Sequence, residues 1–92
     1  MRESIVEKAI CDYAKSRGFL TYKFVSPGHK GVPDRMFISR NGKVLFMEVK
    51  APGETPTPLQ LREIRKMRER GVNAVWCDET ELGKGWLDTM NK

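Results

Sequence analysis

With 92 residues the chain is long enough for one core and too short for two, so residues 1–92 are expected to form a single domain. Lysine and arginine total 17 against 12 aspartates and glutamates, giving a formal net charge of +5 and a pI near 9.5. That balance suits a polyanionic partner such as nucleic acid without demanding one. Cys11 and Cys77 belong to no CxxC pair, which argues against a zinc ribbon or a disulfide framework; both sit among apolar neighbours as small core residues. Met1 to Ser4 leads straight into a charged amphipathic stretch, and no apolar run approaches the length of a bilayer span. A soluble cytoplasmic protein with no membrane partner is expected. In so small a domain a site should lie in an open cleft or be completed by a second copy.

From Ser4, the apolar residues Ile5, Val6, Ala9, Ile10, Tyr13 and Ala14 form a double stripe at helical spacing, and Gly18 is placed to end that helix. Leu20 to Val25 reads as a strand, followed by the glycine-rich loop Ser26-Pro27-Gly28-His29-Lys30-Gly31. Two further strands, about Asp34–Ser39 and Lys43–Lys50, flank the turn Arg40-Asn41-Gly42. After the proline-rich loop from Ala51 to Pro58, Thr57 as N-cap and Pro58 as first residue open a second helix that runs to about Arg70 and stops at Gly71. Val72–Cys77 is a last strand. The tail from Glu79 is at best a short helix, weakened by Gly83 and Gly85. The order α-β-β-β-α-β defines an α/β protein with a mixed central sheet flanked by helices.

The segment Val44-Leu45-Phe46-Met47 is apolar on both faces, as a central strand should be, yet it ends in Glu48-Val49-Lys50. With a period of two, Glu48 and Lys50 share a face. Charges at the end of a buried strand need partners, and Asp34 opens the preceding strand. Asp34 meets Glu48 only if the turn has the right length. A three-residue loop puts Ser39 opposite Lys43 and Asp34 opposite Glu48, whereas a two-residue Asn41-Gly42 turn sends Asp34 to the other face. The three-residue register is expected, because it gives Asp34 a purpose. Two facing carboxylates repel, and Mg²⁺ or Mn²⁺ would relieve the conflict. Lys50 could then orient a water or offset charge on a phosphate. An ordinary ion-pair ladder of Asp34, Glu48 and Lys50 remains the competing reading.

Gly31-Val32-Pro33-Asp34, followed fourteen residues after the aspartate by Glu48-Val49-Lys50, resembles the PD-(D/E)xK nuclease signature. The whole pattern is more similar still to the virus-type replication-repair nuclease (VRR-NUC) domain: a first helix carrying Glu7, the Ser26-Pro27-Gly28 loop, and Gln60 at the opening of the second helix. The resemblance spans nearly the whole chain and implies a restriction-endonuclease-like core. It implies that Asp34, Glu48 and the Val49 backbone carbonyl hold Mg²⁺ or Mn²⁺, with Glu7 joining directly or through a water. Lys50 would handle the attacking water, and Gln60 would steady the site or a phosphate. It further implies cleavage of DNA to 5′-phosphate and 3′-hydroxyl ends, branched junctions as substrates, a homodimer of Holliday-junction resolvase type, and a place in bacterial or virus-infected cytoplasm.

The supporting residues have plainer readings too. Ser4 to Glu7 and Thr57 to Gln60 both fit capping boxes, which would occupy the side-chain atoms of Glu7 and Gln60. Glu3, one turn earlier, is a substitute for Glu7. His29, Lys30 and Arg35 lie beside the site, and Arg62, Arg65 and Lys66 share a helical face opposite Leu61, Ile64 and Arg68. All six are candidate DNA contacts, and all could equally be solvated. Trp76, Trp86, Leu87 and Met90 exceed what a short helix-on-sheet contact needs and would serve a dimer interface. The alternative to a nuclease is a basic nucleic-acid-binding module without catalysis.

Overall fold

The computed structural model describes residues Met1–Lys92. The elements run α1 (Glu3–Ser16), β1 (Leu20–Lys23), β2 (Arg35–Ile38), β3 (Val44–Val49), α2 (Pro58–Glu69), β4 (Asn73–Cys77) and α3 (Thr80–Met90). The sheet order is β1-β2-β3-β4, with β1, β2 and β3 antiparallel and β4 parallel to β3. The doubly apolar strand β3 is therefore interior, as its composition requires. No helix is long and apolar enough to cross a membrane.

Both expected helix stops are Schellman turns. At the end of α1, Gly18 adopts φ +87°, its N–H donates to the Lys15 carbonyl at 3.1 Å, and Phe19 N–H reaches Ala14 at 3.0 Å. Gly71 repeats the arrangement after α2, with Val72 N–H on the Met67 carbonyl at 3.0 Å. The strand ends are shorter than the sequence suggests, but the ladder continues one residue further: Phe24 N–H donates to Asp34 at 2.7 Å, Ser39 N–H to Lys43 at 2.9 Å, and Lys50 N–H to Cys77 at 2.9 Å.

One face of the sheet is closed. Val6, Ile10 and Ala14 of α1 and Leu87 of α3 pack with Phe37, Leu45, Met47, Val49, Val75 and Cys77 into the core. The tail is not the weak element its glycines suggested, since α3 spans eleven residues. Gly83 is the reason. It is buried against α1, where a Cβ would lie 2.5 Å from Ile10 Cδ1, so the glycine is what lets the two helices approach. Leu87 is fully buried, and Trp86 and Met90 pack against the same core, so three of the four residues expected at a dimer interface are taken up inside the monomer; the fourth, Trp76, is half-buried on β4 outside that core. Cys11 and Cys77 are buried free thiols, and burial pushes Cys77 up to about 11.

The opposite face is only partly covered. Helix α2 lies over β4, bringing Ile64 onto the side of Ala74. Over the other strands, Leu20 and Tyr22 are 54% and 47% exposed, and Phe24, Met36, Ile38, Val44 and Phe46 are half-buried. Phe24 meets Phe46 edge-on, with ring centroids 5.2 Å apart.

Candidate active site

The hairpin adopts the three-residue loop. Arg35 pairs with Met47 and Ile38 with Val44, so Ser39 faces Lys43 and, at the open end, Asp34 faces Glu48. A two-residue type I′ turn would need positive φ at both Asn41 and Gly42, but only Gly42 has it, at +82°. The Ser39 hydroxyl holds the loop closed by accepting the Lys43 N–H at 3.0 Å and donating to the Asn41 side chain.

Ladder alternation then decides what the hairpin mouth offers. Because Ser39 N–H bonds to Lys43, the positions four and six pairs along, Arg35/Met47 and Pro33/Val49, are of the hydrogen-bonded kind. Asp34/Glu48 falls between them as a close pair, with Cα atoms about 4.5 Å apart in such pairs. Val49 aims its carbonyl at position 33, and proline has no N–H to give. A nearly fully buried residue thus carries a carbonyl without its ladder donor, beside two carboxylates.

The electrostatics agree with that geometry. The Glu48 side chain is only 9% exposed, and burial together with the charge of Asp34 pushes its carboxyl above the usual range, against the pull of Lys50 Nζ at 3.6 Å. Asp34 is half exposed and 3.6 Å from Lys23 Nζ. Lys23 also lies 3.5 Å from Glu7, whose Oε2 accepts from Arg35 Nη2 at 2.5 Å and Nε at 3.2 Å. Burial alone would raise Glu7, but the hydrogen bond and charge of Arg35, with Lys23 behind them, hold it below the ordinary carboxylate value.

Charges therefore alternate through Arg35, Glu7, Lys23 and Asp34 to the pair Glu48 and Lys50. Glu7 is no cap, because α1 begins at Glu3 and its N-cap is Arg2. It reaches the hairpin mouth from the closed face through Lys23. Lys23 belongs to no motif in the sequence; its one signal there is its position one residue before the ladder partner of Asp34.

No three Asp, Glu, His or Cys side chains converge into a closed metal cage. Two carboxylates and an unpaired carbonyl instead match an open site for a hard cation that keeps waters and accepts substrate oxygens. Gln60 is drawn into the cap: its Oε1 accepts Thr57 N–H at 2.9 Å while Thr57 Oγ1 accepts Gln60 N–H at 3.2 Å, leaving the Gln60 amide nitrogen as a free donor.

Among the basic candidates, Arg35 is turned into its ion pair with Glu7, and His29 is bound to Glu63. Lys30, Arg62 and Arg65 are exposed, and Lys66 pairs with Glu63. The buried side of α2 differs from the one expected. Leu61 is 43% exposed and Arg68 is exposed, while Glu63 joins Ile64 underneath.

An acidic hairpin mouth at the end of a mixed sheet, with helices on both faces, defines a restriction-endonuclease-like α/β nuclease fold. A solved VRR_NUC domain superposes with TM-score 0.85 at 30% identity over 94% of each chain. A second VRR_NUC domain protein shares the fold alone, with TM-score 0.78 and 20% identity over 96% of this chain and 86% of its own. The "Putative nuclease p44" of Acyrthosiphon pisum secondary endosymbiont phage 1 is 45% identical over 82 residues, or 89% of this chain and 88% of that one. No family model matches the sequence. The chain belongs to the VRR-NUC family, the virus-type replication-repair nucleases.

Proposed function

We propose that the chain is a Mg²⁺- or Mn²⁺-dependent endodeoxyribonuclease, selective for branched DNA in the manner of a Holliday-junction resolvase and acting in the cytoplasm. The observation that carries this reading is the facing pair Asp34 and Glu48 beside the donorless Val49 carbonyl. These three groups would hold the cation, whose chemistry when bound is to polarise the scissile phosphate and sharpen a water as nucleophile. Lys50, close to Glu48 on the same strand end, holds that water by its ammonium and offsets charge gathering on the phosphate oxygens. The water oxygen bonds to phosphorus, the bond from phosphorus to the 3′ oxygen breaks, and a proton ends on that 3′ oxygen. Glu7 keeps Arg35 and Lys23 in place behind Asp34.

A two-fold dimer would present two such sites to the two symmetric strands of a four-way junction. The unspent apolar surface for it is the open face of β1, β2 and β3 rather than the C-terminal helix. The test is incubation with linear, nicked, flapped and four-way DNA in Mg²⁺ or Mn²⁺, with EDTA as control. Cleavage of branched substrates, abolished by chelator, is expected. Salt-dependent binding without cleavage would instead favour a non-catalytic basic module, and full cleavage in EDTA would remove the metal.

A further inference from the structure

Glu63 breaks the pattern of its own helix. Helix α2 is rich in arginine and lysine, and a helix of this composition would be expected to turn Leu61 inward and leave every charge in water. Instead Leu61 is 43% exposed and Glu63 only 7%. Burying a carboxylate is unfavourable unless it is bonded to a purpose-placed partner. Glu63 has two: its Oε1 accepts from Lys66 Nζ at 3.1 Å, one turn along, and lies 2.9 Å from His29 Nε2, thirty-four positions away in sequence. These bonds, His29 first, hold its carboxyl below the usual range.

His29 belongs to the loop joining β1 to β2, and that loop touches α2 a second time. Gly31 has φ +91°, and a Cβ there would lie 2.9 Å from Leu59 Cγ, 3.0 Å from the Leu59 carbonyl and 3.2 Å from Glu63 Cγ. Both the positive φ and the absent side chain are needed for the backbone to rest on the first turns of the helix. Three residues further, through the buried Pro33, comes Asp34. The loop bearing one carboxylate of the site is thus clamped to α2, the helix that follows β3 after the loop of residues 50–57.

We infer that Glu63 and His29 form a positioning pair that fixes Asp34 against Glu48. The inference rests on the nuclease reading above. Neither residue touches the reacting atoms. A displacement of about 1 Å in a reacting group can lower turnover about 100-fold; the strands hold the Asp34 backbone, through Phe24 N–H at 2.7 Å and the β2–β3 pairing, and the Glu63–His29 pair braces the loop that leads into it.

The test compares Glu63→Ala, His29→Ala, the double variant and Glu63→Gln in cleavage of a four-way junction in Mn²⁺, with hydrogen exchange of residues 26–33 followed in parallel. Glu63→Ala and His29→Ala are each expected to lower kcat about 10-fold or more while KM changes less than about 3-fold. The double variant should be no worse than either single one, as for two halves of one contact. Glu63→Gln keeps an acceptor for His29 and should recover turnover to within about 3-fold of the unmodified protein. Exchange across residues 26–33 should quicken in the Ala variants alone, whether or not DNA is cut, so a failed nuclease assay leaves the clamp testable. Wild-type kcat in both Ala variants, multiplicative losses in the double variant, or a loss confined to KM would overturn the pair. Unchanged exchange of residues 26–33 in Glu63→Ala would do the same.

Discussion

The two faces of this sheet use the same strands for opposite ends. On the α1 and α3 side, Phe37, Leu45, Met47 and Val49 disappear into close-packed helices, and even a glycine, Gly83, is there to remove atoms. On the α2 side, the alternate residues of the same strands run from half-exposed apolar groups to Asp34, Glu48 and Lys50. Strand alternation lets six residues of β3 serve stability and chemistry at once. The closed face should accept no extra volume and, away from the Glu7–Arg35 ion pair at its rim, be indifferent to local charge chemistry. The open face should tolerate substitution structurally and fail functionally.

The largest separation between the two faces is expected at the hairpin mouth. Asp34→Ala, Glu48→Ala and Lys50→Ala should each lower cleavage by about 100-fold or more, the scale seen when a transition-state-stabilising group is removed, while circular dichroism keeps its folded signal. Unfolding of these variants would mean that the open face supports the fold after all. The closed face should give the reverse at Gly83. Gly83→Ala drives a methyl to within 2.5 Å of Ile10 Cδ1 and should destabilise by about 1–3 kcal/mol, with turnover per folded molecule preserved. Gly85, two residues on, has open space around it, and Gly85→Ala should stabilise α3 by roughly 0.5–1 kcal/mol. A melting-temperature series on the two variants checks the contrast, and equal shifts would show that Gly83 is not a packing device.

Glu48 sharpens the comparison further, because burial and a like charge oppose its ionisation, whereas Arg35 relieves Glu7 on the closed face. Burial and Asp34 raise its folded-state pKa, so the folded protein holds that proton more tightly than the unfolded chain does. Its contribution therefore falls as pH rises from the unfolded carboxylate value through the raised folded one, and at neutral pH the charge opposes folding. Glu48→Gln should raise the melting temperature in EDTA by a few degrees, about 4–8 °C for each kcal/mol relieved in a domain this size. Mn²⁺ should stabilise the unmodified protein more than the variant. A lower melting point for Glu48→Gln in chelator would show that Lys50 outweighs burial and Asp34 together.

What could be read from residues alone follows the same division. The core of α1, the interior position of β3 and both glycine helix stops were visible because each rests on local periodicity or backbone sterics. The register that brings Asp34 to Glu48 was visible through the demand that two carboxylates have a reason to meet. What escaped notice depends on partners distant in sequence. Gly83 looked like a helix breaker because its meaning lies in Ile10. Glu63 carries no local signal because its meaning lies in His29, and Lys23 carries none because Glu7 and Asp34 approach it from different elements. Glu7, readable as a cap, is an ion-pair partner because α1 starts one residue before the serine that would have capped it.

The smallest effect concerns Gln60, where cap and site compete for one side chain. Its Oε1 closes the capping box with the Thr57 N–H, so any part in catalysis falls to the amide nitrogen, which nothing in the protein engages. A glutamate at this position can accept the same Thr57 N–H, and a carboxylate in the first turn is favoured by the helix dipole. Gln60→Glu should therefore leave the melting temperature within about 2 °C of the unmodified value, on the scale of a few tenths of a kcal/mol. Gln60→Ala removes half of the box and should destabilise by about 0.5–1 kcal/mol. Cleavage separates the two roles. If the amide donates to a phosphate, Gln60→Glu replaces that donor with a repelling charge and lowers kcat/KM several-fold, about 1 kcal/mol, with no loss of fold. The donor role is the expected one, because a pure cap would need only the oxygen. Equal cleavage by Gln60→Glu and the unmodified protein, at equal melting temperature, would confine Gln60 to holding the end of α2.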